Sequence, residues 1–187
     1  MKVDLARYDN RGYHPGAGVP HRALWYLVNA LFFQSWFHLG SGFKCCLLRL
    51  FGARVGRGVV IKPRVNVKYP WHLEIGDHVW IGEGTWLDSL GKIAIGSNVC
   101  ISQGAYLLTG NHDYSDSLFG LIVKPIFVED GAWVGARAVV CPGVRIGRQA
   151  VVTVGSVLTA DAEADCIYRG NPAKMEKSRV KSDSSHS

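Results

Sequence analysis

His112 stands in the segment TGNHDYSD (109–116), between Asn111 and Asp113. A histidine ring titrates near neutrality, so it can take up or release a proton under ordinary conditions. In group transfer its natural task is that of a base. A hydroxyl is a poor nucleophile until a neighbour takes its proton, and such help is worth about 10²–10⁴-fold in rate. Asp113 could orient the ring, and an exposed turn aspartate reads equally well there. Asp88 could accept a hydrogen bond from a substrate hydroxyl or from His112; its plainer reading is a solvated corner residue. Trp86 and Tyr106 could stack on a flat substrate face or merely cover the surface. His72 and His78 read as outward and solvated, and His14, His21, His38 and His186 lie apart from any pattern. No three histidines offer metal spacing and no CxxC pair exists, so no metal is expected.

A six-residue repeat surrounds this segment and must position it. Val55, Ile61 and Val67 lie six apart; after two extra residues come Ile75, Ile81 and Leu87, then Ile95, Ile101 and Leu107. Later Val128, Val134, Val140, Ile146, Val152 and Leu158 resume the spacing. The residue after the aliphatic is often glycine (Gly56, Gly76, Gly82, Gly96, Gly135, Gly147), which suggests corners that a β-carbon would strain. The residue four after it is small or β-branched, as at Val65, Thr85, Ala105, Ala138 and Ser156. These features predict a triangular prism of stacked coils, with one aliphatic side chain per short strand on the axis and backbone pairing between coils. An ordinary sheet would alternate strictly, with turns every 8–12 residues or so. The ladder fails once, where fifteen extra residues separate Leu107 from Val128. A long loop (109–127) on a rigid scaffold is where function concentrates, and His112 lies in it.

The bulk properties suit one domain. The chain has 187 residues, 21 Lys and Arg against 15 Asp and Glu, and a net charge of +6. That balance favours anionic partners such as nucleic acid, acidic lipid or a phosphate-bearing cofactor; no aromatic-basic motif supports nucleic acid. The five cysteines, with Cys45 and Cys46 adjacent, do not read as a disulfide framework, and the start MKVDLARYDN lacks a secretory pattern. A reducing, cytoplasmic setting is expected. Residues 23–43 carry no charge and hold Trp25, Tyr26, Phe32, Phe33, Trp36, Phe37 and Phe43. Packed helices, an interfacial segment and a membrane span are all open there, although Asn29, Gln34, His38 and Gly40 interrupt a span. The expected division is an N-terminal helical segment (1–54), the prism (55–162), and a C-terminal extension (163–187) with a disordered end.

The stretches IGDHVWIGEGTWLDSLGKIAIGSNVCISQGAYLLTGNHDYSD (75–116), VEDGAWVGARAVVCPGVRIGRQAVVTVGSVLTAD (128–161) and RGNPAK (169–174) resemble the hexapeptide-repeat acyltransferases. The resemblance covers nearly the whole chain. It is nearest to the WcaF-like group of candidate colanic acid biosynthesis acetyltransferases, relatives of the maltose, galactoside and nodulation O-acetyltransferases. It implies an all-β fold, a left-handed parallel β-helix, although most crossovers are right-handed. It implies a homotrimer with active sites between prisms. The implied activity is transfer from acetyl-coenzyme A to a sugar or lipid-linked oligosaccharide hydroxyl in exopolysaccharide biosynthesis, with His112 as general base. Trp86, Asp88 and Asn111 would face the acceptor, with Asp88 standing where the galactoside and maltose relatives have asparagine. Trp133, Ala136, Val154, Gly155 and Thr159 match positions along the pantetheine arm. Lys174, extended by Lys177, Arg179 and Lys181, matches a basic residue near the nucleotide end. Another hydroxyl or amine acceptor (serine, a xenobiotic), a carbonic anhydrase of this fold and a non-catalytic scaffold are the alternatives. If the acceptor is lipid-linked, the uncharged run 23–43 could hold the protein at a membrane surface.

Overall fold

Short parallel strands stack into three faces that meet at corners, a left-handed parallel β-helix, in a computed structural model that describes residues 2–36 and 39–179. The first face holds Arg54–Val55, Leu73–Ile75, Ile93–Ile95, Ile126–Val128 and Arg145–Ile146. The second holds Val60–Ile61, Trp80–Ile81, Cys100–Ile101, Trp133–Val134 and Val151–Val152, then Cys166–Gly170 and, antiparallel to it, Ala173–Ser178. The third holds Asn66–Val67, Trp86–Asp88, Tyr106–Leu108, Val139–Val140 and Val157–Leu158. Phe37, His38, Lys181, His186 and the end expected to be disordered lie outside the described residues.

The aliphatics of the ladder point to the axis, each at the end of its strand except Leu87 and Leu107, which are the central residues of theirs. All are buried except Val55 at the first coil, which is half-buried. The small residues four places later are buried too, Val65, Thr85, Ala105, Ala138 and Ser156 among them. The glycine expectation needs correction. The glycines directly after the aliphatic are required by close approach: a Cβ on Gly76 would lie 2.7 Å from the backbone of Gly96 in the next coil. The left-handed backbone falls two residues further on, at Gly58, Arg64, His78, Gly84, Asn98, Gly104, Gly131, Arg137, Gly143, Gln149 and Gly155.

The coils are unequal, and the inequality sits at one corner. Arg54 pairs with Glu74 and Glu74 with Ala94, twenty residues per coil, whereas Phe127 pairs with Arg145, eighteen. The extra residues fall between the third and first faces. Their polar groups are tied by a column of buried hydroxyls. Ser89 Oγ accepts from Tyr69 N–H (3.0 Å) and donates to Tyr69 O (2.9 Å). Thr109 Oγ1 donates to Asp88 O (2.6 Å) and accepts from Gly91 N–H (2.9 Å). The long loop leaves the prism from Thr109, at this clamped corner.

Two helices close the first coil. Helix α1 (Val19–Val28) runs on through a wider turn at Asn29–Phe33, and α2 is Ser41–Leu50. An open strand edge would leave its backbone unpaired and offer a template for aggregation. Here side chains of the cap satisfy it. Trp25 Nε1 donates to Val67 O (2.9 Å), Asn29 Oδ1 accepts from Val67 N–H (3.3 Å), and Ser41 Oγ accepts from Ile61 N–H (3.0 Å). Lys44 Nζ, fully buried, donates to Lys62 O (2.8 Å), and Arg49 reaches the carbonyls of Val55 and Gly56. Among the described residues no helix is long and apolar enough to cross a membrane. Trp25 and Phe33 of the aromatic run are buried against the prism.

Candidate active site

Gly110–His112 and Leu121–Val123 pair as an antiparallel hairpin rooted at Thr109. The His112 ring is held on three sides. Nδ1 lies 2.9 Å from Phe119 O. A carbonyl oxygen only accepts, so Nδ1 carries the proton and the Nε2 lone pair is left available. The Phe119 ring stacks on the imidazole at 4.4 Å and 7°, and the Tyr8 ring meets it edgewise at 5.6 Å and 62°. Phe119 adopts φ +53, the turn that brings both its carbonyl and its ring to His112.

Sequence reasoning missed Phe119 and Tyr8. Tyr8 belongs to an N-terminal strap that crosses to the loop. Asp4 N–H donates to Ser117 O (2.9 Å), Tyr13 Oη to Leu90 O (2.8 Å), and Trp71 Nε1 to Pro15 O (2.7 Å). Asp113 does not orient the ring. Its carboxylate accepts from the backbone and hydroxyl of Ser115, the turn reading, and those bonds hold its pKa below the usual value. Asn111 is exposed, and its side-chain oxygen accepts from His112 N–H (2.8 Å), bracing the backbone of the histidine. His78 is exposed as expected; His72 instead is half-buried with Nδ1 3.0 Å from Ser89 O, part of the clamped corner.

Asp88 ends its strand on the outward side of the third face, close under the hairpin: a Cβ on Gly110 would sit 3.8 Å from its Oδ2. Burial pushes its pKa up, and Lys68 partly offsets this. Among the described residues its carboxylate has no hydrogen-bond partner, so it does not orient His112 here. Trp86 and Tyr106 stack face to face at 4.7 Å and 9° on the same side, and burial together with Asp88 raises the Tyr106 pKa. A carboxylate beside a flat aromatic wall is a fit surface for a polyhydroxylated ring.

The other expected site residues gather elsewhere. Trp133, 47% exposed on the second face, donates from Nε1 to Ser102 Oγ (2.8 Å). It stands above Cys100 and Trp80, and a groove of about 450 Å³ lined by Trp80, Cys100, Ser102 and Gln103 opens beside it. Ala136 and Val154–Gly155 stack at the corner between the second and third faces, where Gly155 N–H donates to Ala136 O (2.9 Å). Thr159 is exposed just past the third face, and Lys174 is exposed on the final strand opposite Arg169. His112 and Asp88 thus stand at one edge of the third face, and Ala136, Val154 and Gly155 at the other. A larger concavity, about 580 Å³ on the first face over Ala94 and Phe127, lies away from both sets and is crossed by the Arg54–Glu74 and Arg145–Glu129 ion pairs. Among the described residues no group of three or more His, Cys, Asp or Glu could hold a metal ion.

A family model described as the hexapeptide repeat of succinyl-transferase matches residues 125–160. The candidate colanic acid biosynthesis acetyltransferase WcaF of Escherichia coli K12 is 37% identical over 173 residues, 92% of this chain and 94% of the relative. Galactoside O-acetyltransferase of the same organism is 26% identical over 132 residues, 69% of this chain and 65% of the relative. A hexapeptide-repeat acetyltransferase of Vibrio cholerae superposes with a TM-score of 0.79 at 26% identity, covering 87% of this chain and 92% of that one. Its complex with acetyl-coenzyme A gives 0.80 at 24%, covering 96% and 100%. Kinship over 94% of WcaF at 37% identity, on a prism built from the six-residue ladder, means that this chain belongs to the hexapeptide-repeat acetyltransferases, in the group of WcaF.

Proposed function

We propose that the protein transfers the acetyl group of acetyl-coenzyme A to a hydroxyl of a sugar acceptor, with His112 as general base. The observation that carries this reading is the Nδ1 contact to Phe119 O, which fixes the tautomer with Nε2 free. His112 Nε2 takes the proton of the acceptor hydroxyl as its oxygen attacks the thioester carbonyl. When the tetrahedral intermediate collapses, the carbon–sulfur bond breaks. The imidazolium of His112 then returns the proton to the departing thiolate, giving the acetyl ester and free coenzyme A.

Asp88 accepts from an acceptor hydroxyl, with the Trp86–Tyr106 pair as the wall against which the sugar lies and Asn111 holding the hairpin above it. Trp133, Ala136, Val154, Gly155 and Thr159 receive the pantetheine arm, and Lys174 meets phosphate. The Vibrio relative's complex with acetyl-coenzyme A supports the donor, and the galactoside enzyme and WcaF support a carbohydrate acceptor. The WcaF kinship supports a role in exopolysaccharide assembly on the same footing. Membership in an acetyltransferase family leaves the carbonic anhydrase and scaffold alternatives without support.

The test is radiolabelled acetyl-coenzyme A incubated with a panel of sugars, lipid-linked oligosaccharides and amines. His112→Ala should lower transfer by about 10²-fold or more while leaving coenzyme binding and particle mass unchanged. Near-normal turnover in that variant overturns the assignment. Labelling of amines alone overturns the acceptor class.

A further inference from the structure

The first helix of the cap is apolar on two opposite sides. Trp25, Asn29 and Phe33, four apart, turn to the prism and are buried. On the far side Leu24, Leu27 and Leu31 are 54%, 57% and 53% exposed, with Pro20, Ala23 and Ala30 exposed among them. At 3.6 residues per turn these six share one arc, and none carries a charge. A helix with apolar residues on two opposite sides needs cover on both, and the prism covers only one.

The rim of that arc is cationic. Arg64 lies over the Trp36 ring at 4.7 Å, and Lys68 over the Tyr26 ring at 5.5 Å. The bias is general at this end of the molecule. Residues 19–68, the cap and the first coil, hold eight Lys and Arg and no Asp or Glu; residues 69–187 hold ten against thirteen. An apolar stripe with a basic border is the composition of a segment that lies in a membrane interface, its hydrocarbon among the acyl chains and its cations at the lipid phosphates. A two-fold contact with a second copy would set this cationic rim against itself.

We propose that the capped end of the prism docks on an anionic phospholipid surface, with Leu24, Leu27 and Leu31 entering the interface and Arg64 and Lys68 meeting phosphate. The residues of contact are leucines; Trp25 and Phe33 of the same run face inward. The proposal stands apart from the acetyl-transfer reading, since it concerns the end of the molecule closed by the cap.

Full-length protein is floated with vesicles of phosphatidylglycerol and phosphatidylethanolamine, and in parallel with vesicles of phosphatidylcholine alone. The wild type should float with the anionic vesicles, be released at high salt and stay behind with the neutral ones. Leu27→Glu/Leu31→Glu should lower the partition coefficient about tenfold or more, and Arg64→Gln/Lys68→Gln should lower it as well. Thermal unfolding, which needs no activity, shows that each variant is folded. Wild-type protein that fails to float, a leucine pair that floats as well as the wild type, or a change in particle mass on substituting the leucines (the sign of a second copy on the stripe) each overturns the proposal.

Discussion

The histidine of this site is useful because of what holds its other nitrogen. An imidazole free to flip or to change tautomer spends part of its time with no lone pair toward the substrate. The Phe119 carbonyl removes one choice and the Phe119 ring another. Tyr8 closes the remaining side at 5.6 Å, from more than a hundred residues away in the chain. An edge-to-face pair is worth about 0.5–1.5 kcal/mol, so Tyr8→Ala should lower kcat about two- to tenfold through a looser ring. KM for acetyl-coenzyme A should not change, and Tyr8→Phe, which keeps the ring, should restore the rate. Loss of rate in both variants would point to the Tyr8 hydroxyl instead. His112 stood out as the candidate base because it sits where a six-residue rhythm breaks and because its TGNHDY setting resembles the family's. Phe119 and Tyr8 did not, since an aromatic in a loop and another near a terminus carry no period to betray their meeting. For Asp113, beside His112 in sequence, orienting partner and turn residue read equally well, and the structure gives the turn: its carboxylate is taken by Ser115.

At the scale of elements, the strands were legible almost to the residue. Each inward aliphatic has the prism axis as its only destination, so spacing and burial coincide. The corners were less so. Their left-handed position is filled by glycine at some turns and by Arg64, His78, Asn98, Arg137 or Gln149 at others, and the mixture hides the constraint. The cap was legible only as an uncharged run, because its work is done by single polar side chains reaching an open strand edge. Lys44 is the costliest of these: fully buried, it has the Lys62 carbonyl and the face of the Phe33 ring at 5.6 Å as partners, and no carboxylate. Burial pushes its pKa below the usual lysine value of 10.5. The folded state therefore releases this proton before the unfolded chain does, and stability rises as pH climbs through that window. Near neutral pH the buried ammonium is a cost. Lys44→Met should raise stability there by about 1–2 kcal/mol, and the gain should shrink as pH approaches 10. Urea denaturation at the two ends of that range measures it. A gain that stays constant with pH would mean that packing, and not the charge, is responsible.

The molecule as a whole keeps its two sets of site residues apart. His112 and Asp88 stand at one edge of the third face; Ala136, Val154 and Gly155 stand at the other, with Trp133 beyond them on the second face. A straight stack of coils has no hinge that could bring these edges together. The proposed donor groove and the proposed base then meet most simply when the edge of one prism lies against the edge of another. The exposure of Trp80, Trp133 and Val154, large apolar groups on the second face and its corner, also calls for cover of this kind. Chains carrying His112→Ala and chains carrying Trp133→Ala should each be nearly inactive alone. Unfolded together in equal amounts and refolded, they should regain activity, because a mixed closed ring places an intact base beside an intact groove at roughly a quarter of its sites. Light scattering should show the same particle mass for the mixture as for the wild type, about three chains. Activity that stays at the level of the single variants, with the mass unchanged, would mean that one chain supplies both edges of its own site.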